Sequence, residues 1–184
     1  MAFWERPRSR TNRLGITLRF GPVLPPMTPE GRLPVGRHPA TLEELRERFV
    51  VLAPNSERRD LIFRALLLYI DVIAPYFPDA RLWIDGGFVT HKPEAPADVD
   101  VVIVSDPAPS LTVAEVANVH TLHNVTSTTE PFAAVERLQP FGGLIDGFVA
   151  SPRIPEVLAF WEDQWSKVKD GTDTERKGFV EVRL

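Results

Sequence analysis

Cysteine is missing from this 184-residue chain, which excludes a disulfide framework, a zinc ribbon and a thiol nucleophile. A reducing, cytoplasmic setting is the expectation. Long apolar runs are missing too: the longest, "ALLLYI" from Ala65 to Ile70, is far too short to cross a bilayer, and the opening "MAFWERPRSR" has no apolar core of the kind a signal peptide needs. No membrane role is expected. An excess of positive charge is also lacking, since the formal net charge of −4 excludes a broad, strongly basic nucleic-acid-binding surface. Charge is uneven, however. Arg6, Arg8, Arg10, Arg13 and Arg19 crowd the first twenty residues against Glu5 and could meet RNA phosphates, although a solvated tail is the plainer account.

What is present describes a chain that folds. Hydrophobic residues at 43% and charged residues at 25% are a globular balance, and the length suits one domain with extensions better than two. Proline is plentiful, eighteen in all, and seven fall before residue 40. Because proline removes a donor and fixes φ, residues 1–40 are expected as an extended arm wrapped around a domain of residues 41–184.

Helices and strands interleave through that domain. "TLEE" has the capping-box spacing, Thr41 with Glu44, and Leu42, Leu45 and Phe49 follow as an apolar stripe. A longer helix is predicted from Ser56 to Ala74, where Leu61, Ala65, Leu68 and Val72 run beside Ile62, Leu66, Tyr69 and Ile73 before Pro75 ends it. "RLWID", "VDVVIV" and "GLIDGFVA" read as strands. "TVAEVANVHTLHN" repeats the capping box with Thr112 and Glu115 and is expected to be helical, as is "EPFAAVERL". "IPEVLAFWEDQWSKV" is a helix with Trp161 and Trp165 one turn apart as packing anchors. "KGFVEVRL" alternates as a half-buried strand, with Glu181 and Arg183 outward. The fold class is therefore α+β, a mixed central sheet with helices packed on it.

Chemistry concentrates in "WIDGGFVTHKPEAPADVDVVIV", Trp83 to Val104. In a strand alternate side chains share a face, so Asp98 and Asp100 point one way while Val99 and Val101 enter the core. Two such carboxylates repel each other unless a cation sits between them, and Mg²⁺ takes carboxylates together with substrate phosphates. Gly86 and Gly87 end the preceding strand, where bare backbone lets N–H groups approach a phosphate. Asp146, set among large apolar residues in a later strand, supplies a third acid if the two strands are neighbours. Lys92 and His91 lie in the loop between glycines and aspartates, where a cation could meet a triphosphate, though solvent exposure is the simpler reading. Surface charge is likewise the default for Arg58 and Arg59. His120 and His123, three apart on an expected helix, could share a metal but have no cysteine or acid pattern beside them.

The pair Gly86-Gly87, ten intervening residues and then Asp98-Val99-Asp100-Val101 resemble the signature of the nucleotidyltransferase superfamily with its minimal, polymerase-beta-like core. Asp146 looks like that superfamily's third carboxylate. "LPVGRHPATLEELRERF", "LWIDGGFVTHKPEAPADVDVVIV" and "KGFVEVRL" together resemble a group of small bacterial and phage proteins with this core, so the likeness spans most of Leu33 to Leu184. Two positions depart from the pattern: Asp85 stands where a hydrophobic residue is usual, and Gly87 lacks the hydroxyl of the serine alternative. The resemblance implies two Mg²⁺ ions held by Asp98, Asp100 and Asp146, with Asp146 also activating an acceptor hydroxyl, and NTP as substrate beside Gly86, Gly87 and Lys92. It also implies transfer of NMP to RNA or protein, in a toxin-antitoxin or phage-defence setting with a cognate partner. Two rivals are a catalytically inactive nucleotide-sensing or protein-binding module of the same fold, and a metal-dependent nuclease.

Overall fold

The computed structural model describes residues 10–11, 17–18, 24–106, 110–126, 134–169 and 171–184. In chain order its elements begin with β1 (Arg10–Thr11), β2 (Thr17–Leu18) and β3 (Gly36–Pro39), then α1 (Leu42–Arg46), which continues as a wider helical turn over Glu47–Val51. There follow α2 (Ser56–Ile73), β4 (Arg81–Asp85), β5 (Val99–Val104), α3 (Val113–Val119), β6 (Leu122–Thr126), β7 (Ala134–Leu138) and a short turn α4 (Pro140–Gly143). The chain closes with β8 (Ile145–Ala150), α5 (Pro155–Ser166) and β9 (Gly178–Arg183). Five strands form a mixed sheet in the order β3-β9-β4-β5-β8, with β3–β9 and β5–β8 parallel and the two inner pairs antiparallel. Helices pack on both faces, so the expected α+β architecture is present.

Local sequence explains the helix starts. Thr41 and Thr112 each form a reciprocal capping box with the glutamate three residues on. These bonds satisfy backbone donors that a helix start leaves unpaired. One face of the sheet, built from Leu82, Ile84, Val101, Ile103 and Val180, packs on the Ile62, Leu66, Tyr69 and Ile73 stripe of α2. Of the neighbouring row Leu61, Ala65, Leu68 and Val72, only Ala65 is in the core, Val72 is half-buried, and Leu61 and Leu68 face solvent. The opposite sheet face carries Trp83, Val102, Val104, Ala150 and Phe179 under Trp165 of α5. The Trp161 ring centroid lies 4.7 Å from those of Phe148, to which it is tilted, and Trp165, which it meets edge-on. Full burial of side chains of this size contributes about 1.5–3 kcal/mol each.

Several expectations need correcting. The arm is tied into the domain from residue 24 onward: Leu24 and Leu33 are core residues, Arg48 Nη1 donates to the Pro25 carbonyl at 2.7 Å, and β3 is an edge strand of the sheet. The five N-terminal arginines lie outside the described residues or, for Arg10, outside those with described side chains. Glu181 is buried, because α5 covers its face; its carboxylate accepts from Trp83 Nε1 at 2.9 Å and faces Arg37 and Arg81 at 3.4 and 3.5 Å.

The helix over "TVAEVANVHTLHN" stops at Val119, since Thr121 is drawn into an extended path by exchanging hydrogen bonds with Gly147. His120 and His123 therefore do not share a helix face. Residues 134–138 of "EPFAAVERL" are a strand paired antiparallel with β6, and residues 130–133 lie outside the described residues.

Arg59, expected at the surface, is fully buried. Its guanidinium donates to the carbonyls of Pro54, Phe49, Phe88 and Thr90 at 2.6, 3.2, 2.6 and 2.8 Å. Replacing it leaves three buried acceptors, the carbonyls of Phe49, Phe88 and Thr90, without this donor. Arg59→Met is expected to lower the urea-unfolding free energy by roughly 3 kcal/mol or more, and Arg58→Met, on the same turn but partly exposed, by about 1 kcal/mol.

Candidate active site

Strand register decides what the aspartates do. Asp85 at the end of β4 is the direct partner of Asp100 in β5, and Asp100 is the direct partner of Asp146 in β8. Directly opposed residues on neighbouring strands project from the same face. A single row of three carboxylates therefore crosses the middle of the sheet, with Asp98, expected within the strand, lying at the end of the β4–β5 loop just before β5. α5 covers the far half of this face and leaves the carboxylate end open. The result is a cleft of about 740 Å³, bounded by the β4–β5 loop on one side and by Lys167 and Lys169 beyond α5 on the other.

The loop is built for close approach. Gly86 has φ +81°, and a Cβ there would overlap a carboxylate oxygen of Asp100, so no other residue fits without displacing the acid. Gly87 has no such restriction, its nearest neighbour being Pro96 at 3.7 Å. The rest of the loop is pinned from behind by α2 and the residue preceding it. Asn55 donates to the Pro93 carbonyl at 2.7 Å, Arg58 donates to Pro96 at 3.1 Å and to Ala97, and Arg59 holds Phe88 and Thr90. His91 is also structural, sharing a 2.8 Å hydrogen bond with the Arg48 carbonyl. Lys92 lines the cleft itself.

Two cations and one amide partner three of the four carboxylates. Lys177 Nζ, buried at the entry to β9, pairs with Asp85 and reaches the Trp165 carbonyl at 3.3 Å. Gln139 donates to Asp98 Oδ2 at 2.9 Å, and Arg137 pairs with Asp146 Oδ2. Asp146 Oδ1 is buried with no partner. The Asp100 carboxylate makes no hydrogen bond or ion pair among the described residues. Its pKa is pushed up to about 7, first by burial and then by Asp85 and Asp98, with Lys177 and Arg137 pulling against them. Burial also raises Asp85, against the opposing pull of Lys177 and the Gly86 N–H.

The chain belongs to the DUF6932 family, a family of unknown function. The family model matches residues 25–183, which includes β3, the whole five-stranded sheet and every residue of the cleft. No curated protein and no solved structure matches the chain.

On this DUF6932 scaffold Asp98, Asp100, Asp146, Gly86, Gly87 and Lys92 all border one cleft. Among the described residues no group of three or more His, Asp or Glu side chains is arranged to hold a metal ion as it stands, with Asp98, Asp146 and Asp85 turned to Gln139, Arg137 and Lys177. The donor chemistry nevertheless fits a hard divalent cation: oxygen ligands throughout, an orphaned Asp146 Oδ1, and an Asp100 carboxyl whose ionisation is opposed first by burial and then by Asp85 and Asp98.

Four contributors escaped the sequence reading: Asp85, Lys177, Arg137 and Gln139. Asp85 has the same strand parity as Trp83, and Lys177 directly precedes the last strand, so both had a signal. Arg137 had none, because its segment read as helix, and Gln139 follows directly on that segment.

A raised acid pKa means the folded state holds its proton more tightly than the unfolded chain, where an aspartate titrates near about 3.9. The stabilisation from protonated Asp100 is complete below that value and is lost as pH rises through about 7. Melting temperature should therefore drop more steeply between pH 5 and pH 8 in the wild type than in Asp100→Asn. Added Mg²⁺ should recover more of it at pH 8 than at pH 5.

Proposed function

We propose that this protein is a Mg²⁺-dependent nucleotidyltransferase that moves NMP from an NTP to a hydroxyl of RNA or protein. The observation that carries the reading is the cross-strand alignment of Asp100 with Asp146, with Asp98 adjacent, beside a glycine turn that leaves no side chain between backbone and carboxylate. Asp98, Asp100 and Asp146 would hold the metal, two ions by the resemblance, which when bound neutralises the triphosphate and the charge on attacking and leaving oxygens.

The chain's own groups would position the reactants. Lys92 offers a cation to the phosphates from the loop, and Arg58, Arg59 and Asn55 keep that loop in register with Asp100. Asp146 Oδ1, buried and unpartnered, is the atom available to take the acceptor hydroxyl's proton as its oxygen bonds to the α-phosphorus and pyrophosphate departs. The absence of cysteine fits a cytoplasmic setting, and a toxin-antitoxin or phage-defence role with a cognate partner belongs to the same proposal.

A second reading rests on the paired state of the acids. Lys177, Arg137 and Gln139 occupy three of the four carboxylates with ion pairs or a hydrogen bond, as they would in a nucleotide-sensing or protein-binding module without turnover.

Incubation with Mg²⁺, each α-labelled NTP and cell extract separates the two. Transfer predicts label on RNA or protein, reduced roughly 100-fold or more in Asp98→Asn and Asp100→Asn, the worth of several kcal/mol of charge stabilisation. No label with any of the four nucleotides, or label unchanged in both variants, overturns the enzyme reading.

A further inference from the structure

Two side chains from one stretch of backbone hold two of the aspartates. Arg137 on β7 and Gln139 just after it are two residues apart on extended chain, and so point the same way. One grips Asp146 Oδ2 and the other grips Asp98 Oδ2. Arg137 also stands near enough to Asp100 to oppose the rise in its pKa. A guanidinium thus lies among the acids where a cation would be drawn.

The backbone carrying these groups is not part of the central sheet. Among the described residues β7 pairs with β6 alone, in a separate two-stranded sheet. Immediately after Gln139 and Pro140, Phe141, Gly142 and Gly143 have φ of +52°, +66° and +85°, three successive left-handed residues before β8. Holding a non-glycine residue such as Phe141 there costs on the order of 1 kcal/mol, so the contacts at either end must support it. Those contacts are Phe141 edge-on to Tyr69 at 6.0 Å and the two grips on the aspartates. Even so, the pairing is incomplete: Asp146 is 4% exposed and its Oδ1 has no partner. An ion pair that leaves one buried carboxylate oxygen unsatisfied is open to replacement by a ligand that satisfies both.

We propose that Arg137, seconded by Gln139, is a built-in stopper of the metal site: a divalent ion and the Arg137 guanidinium compete for Asp146, and the segment 137–143 shifts about Phe141–Gly143 when the ion enters. This rests on the metal-site reading above. It lowers metal affinity by the fraction of time the stopper is in place. If Arg137 instead only orients Asp146 for the metal, its loss weakens binding, typically 10- to 100-fold. The sign of the change separates the two roles.

Mn²⁺ titration followed by electron paramagnetic resonance, on the full chain, reads that sign without any turnover. Arg137→Gln should bind Mn²⁺ about 10-fold or more tightly than wild type, and Gln139→Ala a few-fold more tightly. Equal or weaker binding in Arg137→Gln overturns the stopper. If Asp98→Asn and Asp100→Asn bind Mn²⁺ as well as wild type, or no chain binds it at millimolar concentration, the metal site itself is refuted, and the stopper with it. Should Arg137→Gln fail to fold, amide exchange in the wild type decides: faster exchange over residues 136–143 on adding Mn²⁺ supports displacement, and unchanged or slower exchange overturns it.

Discussion

Like charges placed side by side on adjacent strands, partly shielded from water, are the constraint on which this structure turns. The register of β4, β5 and β8 forces Asp85, Asp100 and Asp146 into one row, and nothing in the sheet can separate them without slipping a strand. A one-residue slip of β5 would send Asp100 into the α2 core and Val99, Val101 and Ile103 toward the cleft. The hydrophobic alternation of Val99, Val101 and Ile103 therefore locks the acids in place as firmly as it locks the core. Their repulsion has to be answered by cations, and the chain supplies Lys177 and Arg137 at either end of the row, leaving Asp100 in the middle without a cation of its own and with its pKa raised by burial and then by Asp85 and Asp98.

The remaining architecture keeps that row accessible while the rest of the sheet is sealed. Trp161 and Trp165 of α5 close one half of the face against Phe148 and Trp83, and the helix ends before it reaches the aspartates. On the opposite side Arg59 and Arg58 grip the carbonyls of the β4–β5 loop, so the glycine turn is fixed by side chains from α2 rather than by its own packing. A buried guanidinium with four carbonyl acceptors is costly to assemble and costly to break, which suits a loop whose position relative to Asp100 has to be constant.

Much of this was legible in the chain. The two capping boxes, the long helix from Ser56, the strands around Asp100 and Asp146, and the helix bearing both tryptophans follow from periodicity and local chemistry, and they appear within a residue or two of expectation. What was not legible depended on partners distant in sequence. Glu181 reads as outward until α5 is laid across it, Arg59 reads as surface until the loop carbonyls close around it, and His38 in a proline-rich stretch gives no hint that its strand adds to β9. Arg137 was hidden by propensity: alanine, glutamate and leucine around it favour a helix, whereas pairing with β6 draws the segment into a strand. Asp85 looked like a departure from a motif. In the folded chain it extends the acidic row and is matched by Lys177.

The claim beneath all of this is that the aspartate row is a cation site. Crystals grown with Mn²⁺ and a non-hydrolysable NTP, measured at the manganese edge, test it most directly. The account predicts anomalous density touching Asp100 together with Asp98 or Asp146, with the triphosphate reaching toward Gly86 and Lys92. Anomalous density confined to other side chains, with Arg137 still closed on Asp146 and the cleft holding neither ion nor nucleotide, would contradict it.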